Sequence, residues 1–375
     1  MSGPGHEPEA WDLFCRVVDN YGDIGIAWRL ARQIASDARD VRLIVDGLEA
    51  FARIEPRIDP ARDRQCFDGI TVVRRSSMEE TTSEVASVVI ELLGCGLPAQ
   101  YIDAMVERVR PPIWIDFEHL SAEPWVEGFH GLPSPHPVLP LTKHFFYPGF
   151  GTDTGGLLVE PGLEARRRAF LDAPDQVDAL WRRLGVPPPA DGERRIALFA
   201  YPDAPVDALR RALSNDRDQR WSLLVPGGLA GSTPVLPIPF VDQDDFDRLL
   251  WASDVNFVRG EDSFVRAQVA GRPFVWQIYR QPDEVHLQKL AAFADRYEAN
   301  LSTDAATAQR AMWSAWNGRP DELPFAAKGW LKAMPALRSH AETWRLDLAE
   351  QSPLIERLLA FVEALKRVAG DQPVC

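Results

Sequence analysis

Short apolar runs alternate with segments of helical periodicity along most of the chain, the pattern of an α/β architecture. The first run covers residues 13–18 and is followed by the loop Asp19-Asn20-Tyr21-Gly22-Asp23. A helix is expected over 24–35, where Ile24, Trp28, Ala31 and Ala35 recur at spacings of four, three and four and share one face. Further strands are expected at 41–45, 86–90 and 113–115, with a helix over 98–109. Residues 133–161 carry PSPHPVLPL and GFGTDTGG, so proline and glycine make this an extended connection with turns. A charged helix is expected over 164–184, and PPPADGE (187–193) marks another boundary.

The rhythm then restarts. Strands are expected at 195–200, 221–225, 239–241, 254–258 and 273–277, with helices at 206–214, 244–252 and 263–270. The last ~90 residues are mainly helical and end in an amphipathic segment over 354–368. This pattern predicts two successive β/α domains with a helical tail. Ligands of open parallel sheets bind beyond the carboxyl ends of the strands, so the loops at those ends are the places to look for chemistry.

Composition narrows the function. A length of 375 residues fits two domains, and 46% apolar residues exclude a disordered chain. The net charge of −14 argues against a protein that coats nucleic acid, because phosphate neutralisation needs surplus cations. The most apolar stretch, 85–97, is too short to span a bilayer and contains Glu91. The N-terminus lacks the basic and apolar segments of a secretory signal. Cys15, Cys66, Cys95 and Cys375 are scattered without a CxxC pair, as suits reduced thiols. A soluble cytoplasmic protein without a membrane or nucleic-acid partner is expected.

The chain has neither a GxxxxGK[ST] loop nor a GxGxxG after its first strand, which counts against a P-loop kinase and a standard dinucleotide oxidoreductase. Three other stretches carry candidate chemistry. In Asp19-Asn20-Tyr21-Gly22-Asp23-Ile24-Gly25, two acids and two glycines fit a site where a substrate approaches closely and a carboxylate accepts a proton. The same residues could merely shape the turn and cap the helix. In Arg259-Gly260-Glu261-Asp262-Ser263, an arginine at a strand end meets a helix start, which suits a diphosphate. A plain cap would explain Asp262 and Ser263 but not Arg259. In Asp242-Gln243-Asp244-Asp245-Phe246, a DxD could hold a divalent cation. Capping, or a nucleobase held by Phe246 and Gln243, explains it as well. His119, His130, His136 and His144 match no helical metal pair and read as structural hydrogen-bonding residues. The 12 tryptophans read as core and cleft lining.

Three blocks carry a family resemblance: WDLFCRVVDNYGDIGIAWRLARQ (11–33), LSAEPWVEGFHGLPS (120–134) and NFVRGEDSFVRAQ (256–268). Together they resemble the protein-arginine rhamnosyltransferases that modify elongation factor P, and the likeness runs over nearly the whole chain. The resemblance implies an α/β fold of the GT-B class, with two Rossmann-like domains facing across a cleft and C-terminal helices. It implies an N-terminal acceptor-side domain over 1–158, completed by a C-terminal helix within 350–375, and a nucleotide-sugar domain over 159–349. The implied reaction moves rhamnose from dTDP-β-L-rhamnose to an arginine of elongation factor P, inverting, with no metal and no cofactor. The family's catalytic acids fall on Asp19 and Asp23, with Asp23 as general base, and its essential glutamate on Glu261. Donor-binding positions fall on Tyr201, Gln243, Phe246, Arg259, Asp262 and Ser263. The alternatives are another GT-B glycosyltransferase or a sugar-nucleotide epimerase, a silent nucleotide-sugar sensor, and a metal-dependent GT-A enzyme using Asp242 and Asp244.

Overall fold

The computed structural model describes residues 9–19, 21–37, 39–80, 85–228 and 235–370. The chain divides into two units, Met1–Glu160 with Ser352–Cys375, and Pro161–Gln351.

Among the described residues the first unit holds an eight-stranded sheet. Its strands are β1 (Ala10–Cys15), β2 (Asp40–Val45), β3 (Arg64–Phe67), β4 (Ile70–Arg74), β5 (Val88–Leu92), β6 (Ile113–Phe117), β7 (Pro133–Pro135) and β8 (Thr142–Phe146). The order is β3-β4-β2-β1-β5-β6-β8-β7, parallel except for the β3–β4 and β7–β8 pairs at the two edges. Helices cover both faces, so the central strands are nearly continuous apolar runs. One face buries Trp11, Leu13 and Val45 with Ile24 and Trp28 of the helix Gly22–Ala35. Leu354, Leu358 and Val362 of the terminal helix Leu354–Gly370 join the same core. The other face buries Phe14, Ile44 and Val89 with Tyr101 and Met105 of the helix Ala99–Glu107.

The second unit holds β9 (Glu193–Leu198), β10 (Arg220–Pro226), β11 (Val235–Ile238), β12 (Val255–Arg259) and β13 (Phe274–Gln277). Their order is β11-β10-β9-β12-β13, with every pair parallel. In each sheet the winding reverses once. The chain leaves β1 toward β2 but returns on its other side at β5, and it leaves β9 toward β10 but returns at β12. Such switch points leave a crevice between two loops that diverge to opposite faces.

Several expectations need correcting. The apolar run at 13–18 is strand only as far as Cys15, because carboxylates capture the amides of residues 17–19. The helix expected over 164–184 is two helices, Leu163–Leu171 and Pro174–Arg183. Pro174 drives Ala173 out of helical geometry, to φ −115° and ψ 86°. The strand expected at 239–241 lies earlier, at β11, and residues 239–241 lead into a helix cap. The connection at 133–161 contains β7 and β8; the prolines of β7 are tolerated because it is an edge strand. The β3–β4 hairpin went unpredicted although Asp68-Gly69, both at positive φ, is a strong two-residue hairpin signal. Asn20 and Cys375 lie outside the described residues.

Candidate active site

In the first unit the candidate acids sit in the loop that leaves β1 at its switch point. Tyr21, not Asp23, occupies the cap position of the helix Gly22–Ala35, so the capping alternative does not hold for Asp23. Its side chain turns back instead. Oδ2 accepts hydrogen bonds from the Val18 and Asp19 amides, at 2.7 and 2.8 Å. Two backbone donors meeting on one oxygen fix the carboxylate, which is 7% exposed. The loop is also held from β2: Asp46 Oδ1 accepts from the Val17 amide at 2.8 Å. Asp19 closes the turn through its carbonyl, which accepts from the Gly22 amide at 2.8 Å.

Gly22 packs against the Asp19 side chain. A Cβ at this position would stand 2.9 Å from Asp19 Oδ2. A third acid of the first unit is committed elsewhere. Asp12, fully buried in β1, receives both arms of the Arg42 guanidinium at 2.6 Å and the Tyr101 hydroxyl.

In the second unit the remaining predicted residues gather at the carboxyl ends of the strands. Tyr201 follows β9 and Arg259 ends β12, so the two flank the switch point. They touch: the Arg259 guanidinium carbon lies 4.6 Å from the Tyr201 ring centre, a cation–π contact. Gly260, at φ +66°, turns the chain into the helix Asp262–Val269, and no side chain caps that helix. Its first-turn amides have no partner within the helix, which makes its start receptive to an anion beside Arg259. The Ser263 hydroxyl donates to the Arg259 carbonyl, so it fastens the turn rather than standing as an extra donor.

Gln243 and Phe246 lie one turn apart at the start of the helix Gln243–Ala252. Phe246 packs edge-on against Phe199, with ring centres 4.9 Å apart. That contact brings Gln243 and Phe246 alongside the segment that carries Tyr201. Asp242 is the cap of this helix, with Oδ1 accepting from the Asp245 amide at 2.8 Å. Asp245 is engaged by Arg183 at 2.7 and 2.8 Å and by Arg248 at 2.7 Å. Burial pushes the Asp245 carboxyl up, but these arginines outweigh it and hold it below its ordinary value. Asp242, the first acid of the DxD, therefore serves as a helix cap, and the neighbouring Asp245 is held in ion pairs. Among the described residues no three His, Cys, Asp or Glu side chains group as metal ligands would.

Sequence reasoning missed the residues that brace these loops. Asp247 and Arg266 are buried and pair through both guanidinium arms, Nε at 2.8 Å and Nη2 at 2.5 Å. They tie the helix bearing Gln243 and Phe246 to the helix that follows Arg259. The available signal was a complementary pair of charges on the otherwise apolar faces of two predicted helices. Asp46, immediately after β2, could have been found as an acid at a strand end. Two of the mid-chain histidines act as structural acceptors, His130 for the Tyr147 amide and His136 for the Leu139 amide, both at 3.0 Å. Burial holds the His130 and His144 imidazoles below their ordinary pKa.

The chain matches the family described as Elongation-Factor P (EF-P) rhamnosyltransferase EarP over residues 11–363. The chain belongs to the EarP family. Among its relatives, the protein-arginine rhamnosyltransferase of Pseudomonas aeruginosa is 44% identical, spanning 94% of this chain and 98% of that protein. That of Neisseria meningitidis serogroup B is 32% identical, spanning 95% and 97%. A solved structure concerned with EarP-mediated arginine glycosylation of translation elongation factor EF-P superposes with a TM-score of 0.64. It is 32% identical and covers 95% of this chain and 99% of its own. Arabidopsis thaliana UGT89C1 complexed with quercetin superposes with a TM-score of 0.50 at 10% identity, covering 96% and 99%, and so shares the fold alone. The fold is GT-B, built from two Rossmann-like units and C-terminal helices, and an EarP-family chain is a glycosyltransferase. No described helix is long and apolar enough to cross a membrane.

Within this family the Gly22 packing gives a direct test. Gly22→Ala is expected to displace the Asp19 carboxylate and lower kcat about tenfold. The melting temperature should stay at the parent value by differential scanning calorimetry.

Proposed function

We propose that the chain transfers L-rhamnose from dTDP-β-L-rhamnose to an arginine side chain of translation elongation factor P, in the cytoplasm, with inversion and without a metal. The observation that carries this reading is the 44% identity to the Pseudomonas aeruginosa protein-arginine rhamnosyltransferase over 94% of the chain. The geometry supports the chemistry. Arg259 and the uncapped helix start suit a diphosphate, while Phe246, Gln243 and Tyr201 suit a nucleobase and sugar. The capping role of Asp242, the first acid of the DxD, supports metal independence.

The acceptor sets an unusual demand. A guanidinium has a pKa above about 12, roughly eight units above a free aspartate, so no carboxylate can deprotonate it beforehand. Asp19 and Asp23 instead hold the guanidinium by charge-assisted hydrogen bonds. As its nitrogen bonds to the anomeric carbon, the C–O bond to the diphosphate breaks and the electron pair leaves with dTDP. The nitrogen's proton passes to Asp23 in the same step. Arg259 and the helix start stabilise the charge gathering on the leaving diphosphate. Glu261, between them, orients the sugar or the loop. Inversion requires base and phosphate clamp to act from opposite sides of the anomeric carbon.

The test is the intact mass of elongation factor P after incubation with this protein, dTDP-β-L-rhamnose and EDTA. The expected result is a gain of one deoxyhexose that disappears when the acceptor arginine is changed to lysine. Donor binding with no mass gain would overturn the acceptor assignment, and a gain abolished by EDTA would overturn metal independence.

A further inference from the structure

We propose that Gln277 is a positioning residue for donor binding: its buried amide and its main chain together hold the Tyr201 segment and the Arg259–Gly260 turn in register. Gln277 ends β13, beside β12, and is 5% exposed. Its side-chain Oε1 accepts from the Tyr201 amide at 2.7 Å, and its Nε2 donates to Asp203 Oδ1 at 3.2 Å. Its own carbonyl accepts from the Gly260 amide at 3.2 Å. The neighbouring Trp276 donates from Nε1 to the Gly260 carbonyl at 2.7 Å. The left-handed Gly260 is thereby held through both its N–H and its C=O. Directly before it stands Arg259, whose guanidinium meets the Tyr201 ring at 4.6 Å. That contact spans two loops leaving different strands, and Gln277 is bonded to both loops.

The chemistry selects an amide. Position 277 must accept from a backbone N–H and donate to a carboxylate at the same time, which glutamine does with one planar group. Glutamate would still accept from Tyr201 but would set a second carboxylate against Asp203. Leucine would do neither, leaving the half-buried Tyr201 amide without that acceptor. Asp203 also meets Arg280, whose Nε lies 3.2 Å from Oδ2. The bonds act on Tyr201 and Arg259 rather than on the acceptor, so their loss should appear in donor binding and not in the chemical step.

The proposal rests on the dTDP-rhamnose reading, and the experiment therefore measures dTDP affinity by calorimetry together with donor KM, kcat and melting temperature. Gln277→Leu should weaken dTDP binding and raise donor KM about tenfold, with kcat nearly unchanged. Gln277→Glu should show a similar loss. The double variant Gln277→Glu/Asp203→Asn should recover most of it, because the side-chain amide introduced at 203 donates to the carboxylate introduced at 277. A merely structural role would move melting temperature and kcat together and would not predict donor-specific recovery. Parent-like dTDP affinity in Gln277→Leu, or no recovery in the double variant, overturns the proposal. A parent chain that does not bind dTDP overturns the donor reading and this proposal with it.

Discussion

Replacing Asp23 with asparagine is expected to lower kcat by about 10²–10⁴-fold, the usual contribution of a positioned general base. The asparagine carbonyl oxygen can still accept from the Val18 and Asp19 amides that hold Oδ2 in the parent. The loop should therefore keep its shape while losing its proton acceptor and its negative charge. Melting temperature and dTDP affinity should stay at parent values, since Asp23 belongs to the first unit and the predicted donor residues to the second. Single-turnover transfer to elongation factor P, measured by mass, separates the outcomes. Near-parent turnover would remove Asp23 as the base, and a collapse in melting temperature would recast it as a loop anchor.

The largest stability effect is expected from Asp247→Ala. It leaves the Arg266 guanidinium, 1% exposed, without the carboxylate that binds both its arms. Stranding one member of a buried pair costs roughly 3–5 kcal/mol, or roughly 10 °C of melting temperature for a unit of this size. The double variant Asp247→Leu/Arg266→Met should recover most of that stability, because two apolar side chains need no solvation. Donor affinity should stay weakened in the double variant, since the fork that orients the two helices is gone. Differential scanning calorimetry beside dTDP titration checks both statements. Full recovery of stability and affinity together would reduce the pair to packing.

Both candidate loops are legible in the sequence. DNYGD and RGEDS could be recognised because the residue types carry the chemistry: acids beside glycines after a strand, and an arginine at a strand end before a helix. Periodicity located most of the strands and helices, because burial on one or both faces writes itself into apolar spacing. It failed where an apolar run was not a strand. Val17 and Val18 continue the hydrophobic pattern of β1, yet Val18 is 64% exposed and its amide is bonded to Asp23. A polar side chain five residues away competed with the sheet for the backbone, and a local pattern cannot record that competition. Pro174 and Asp68-Gly69 were different: each carried a local signal, and the helix break and the hairpin follow from it.

The sequence by itself determined the α/β alternation, the glycosyltransferase family and the residue types at the strand ends, since these rest on spacing and local chemistry. Tertiary structure alone decided which polar groups are already committed. Asp12 lies only seven residues before Asp19, but Arg42 and Tyr101 consume its carboxylate. Asp242 looks like a metal ligand until the cap of the helix Gln243–Ala252 claims it. Gln277, 76 residues from Tyr201, becomes its anchor only because β9, β12 and β13 lie in sequence across the sheet. A hydrogen bond formed at long separation leaves no periodicity behind, because its geometry comes from strand order and not from spacing along the chain.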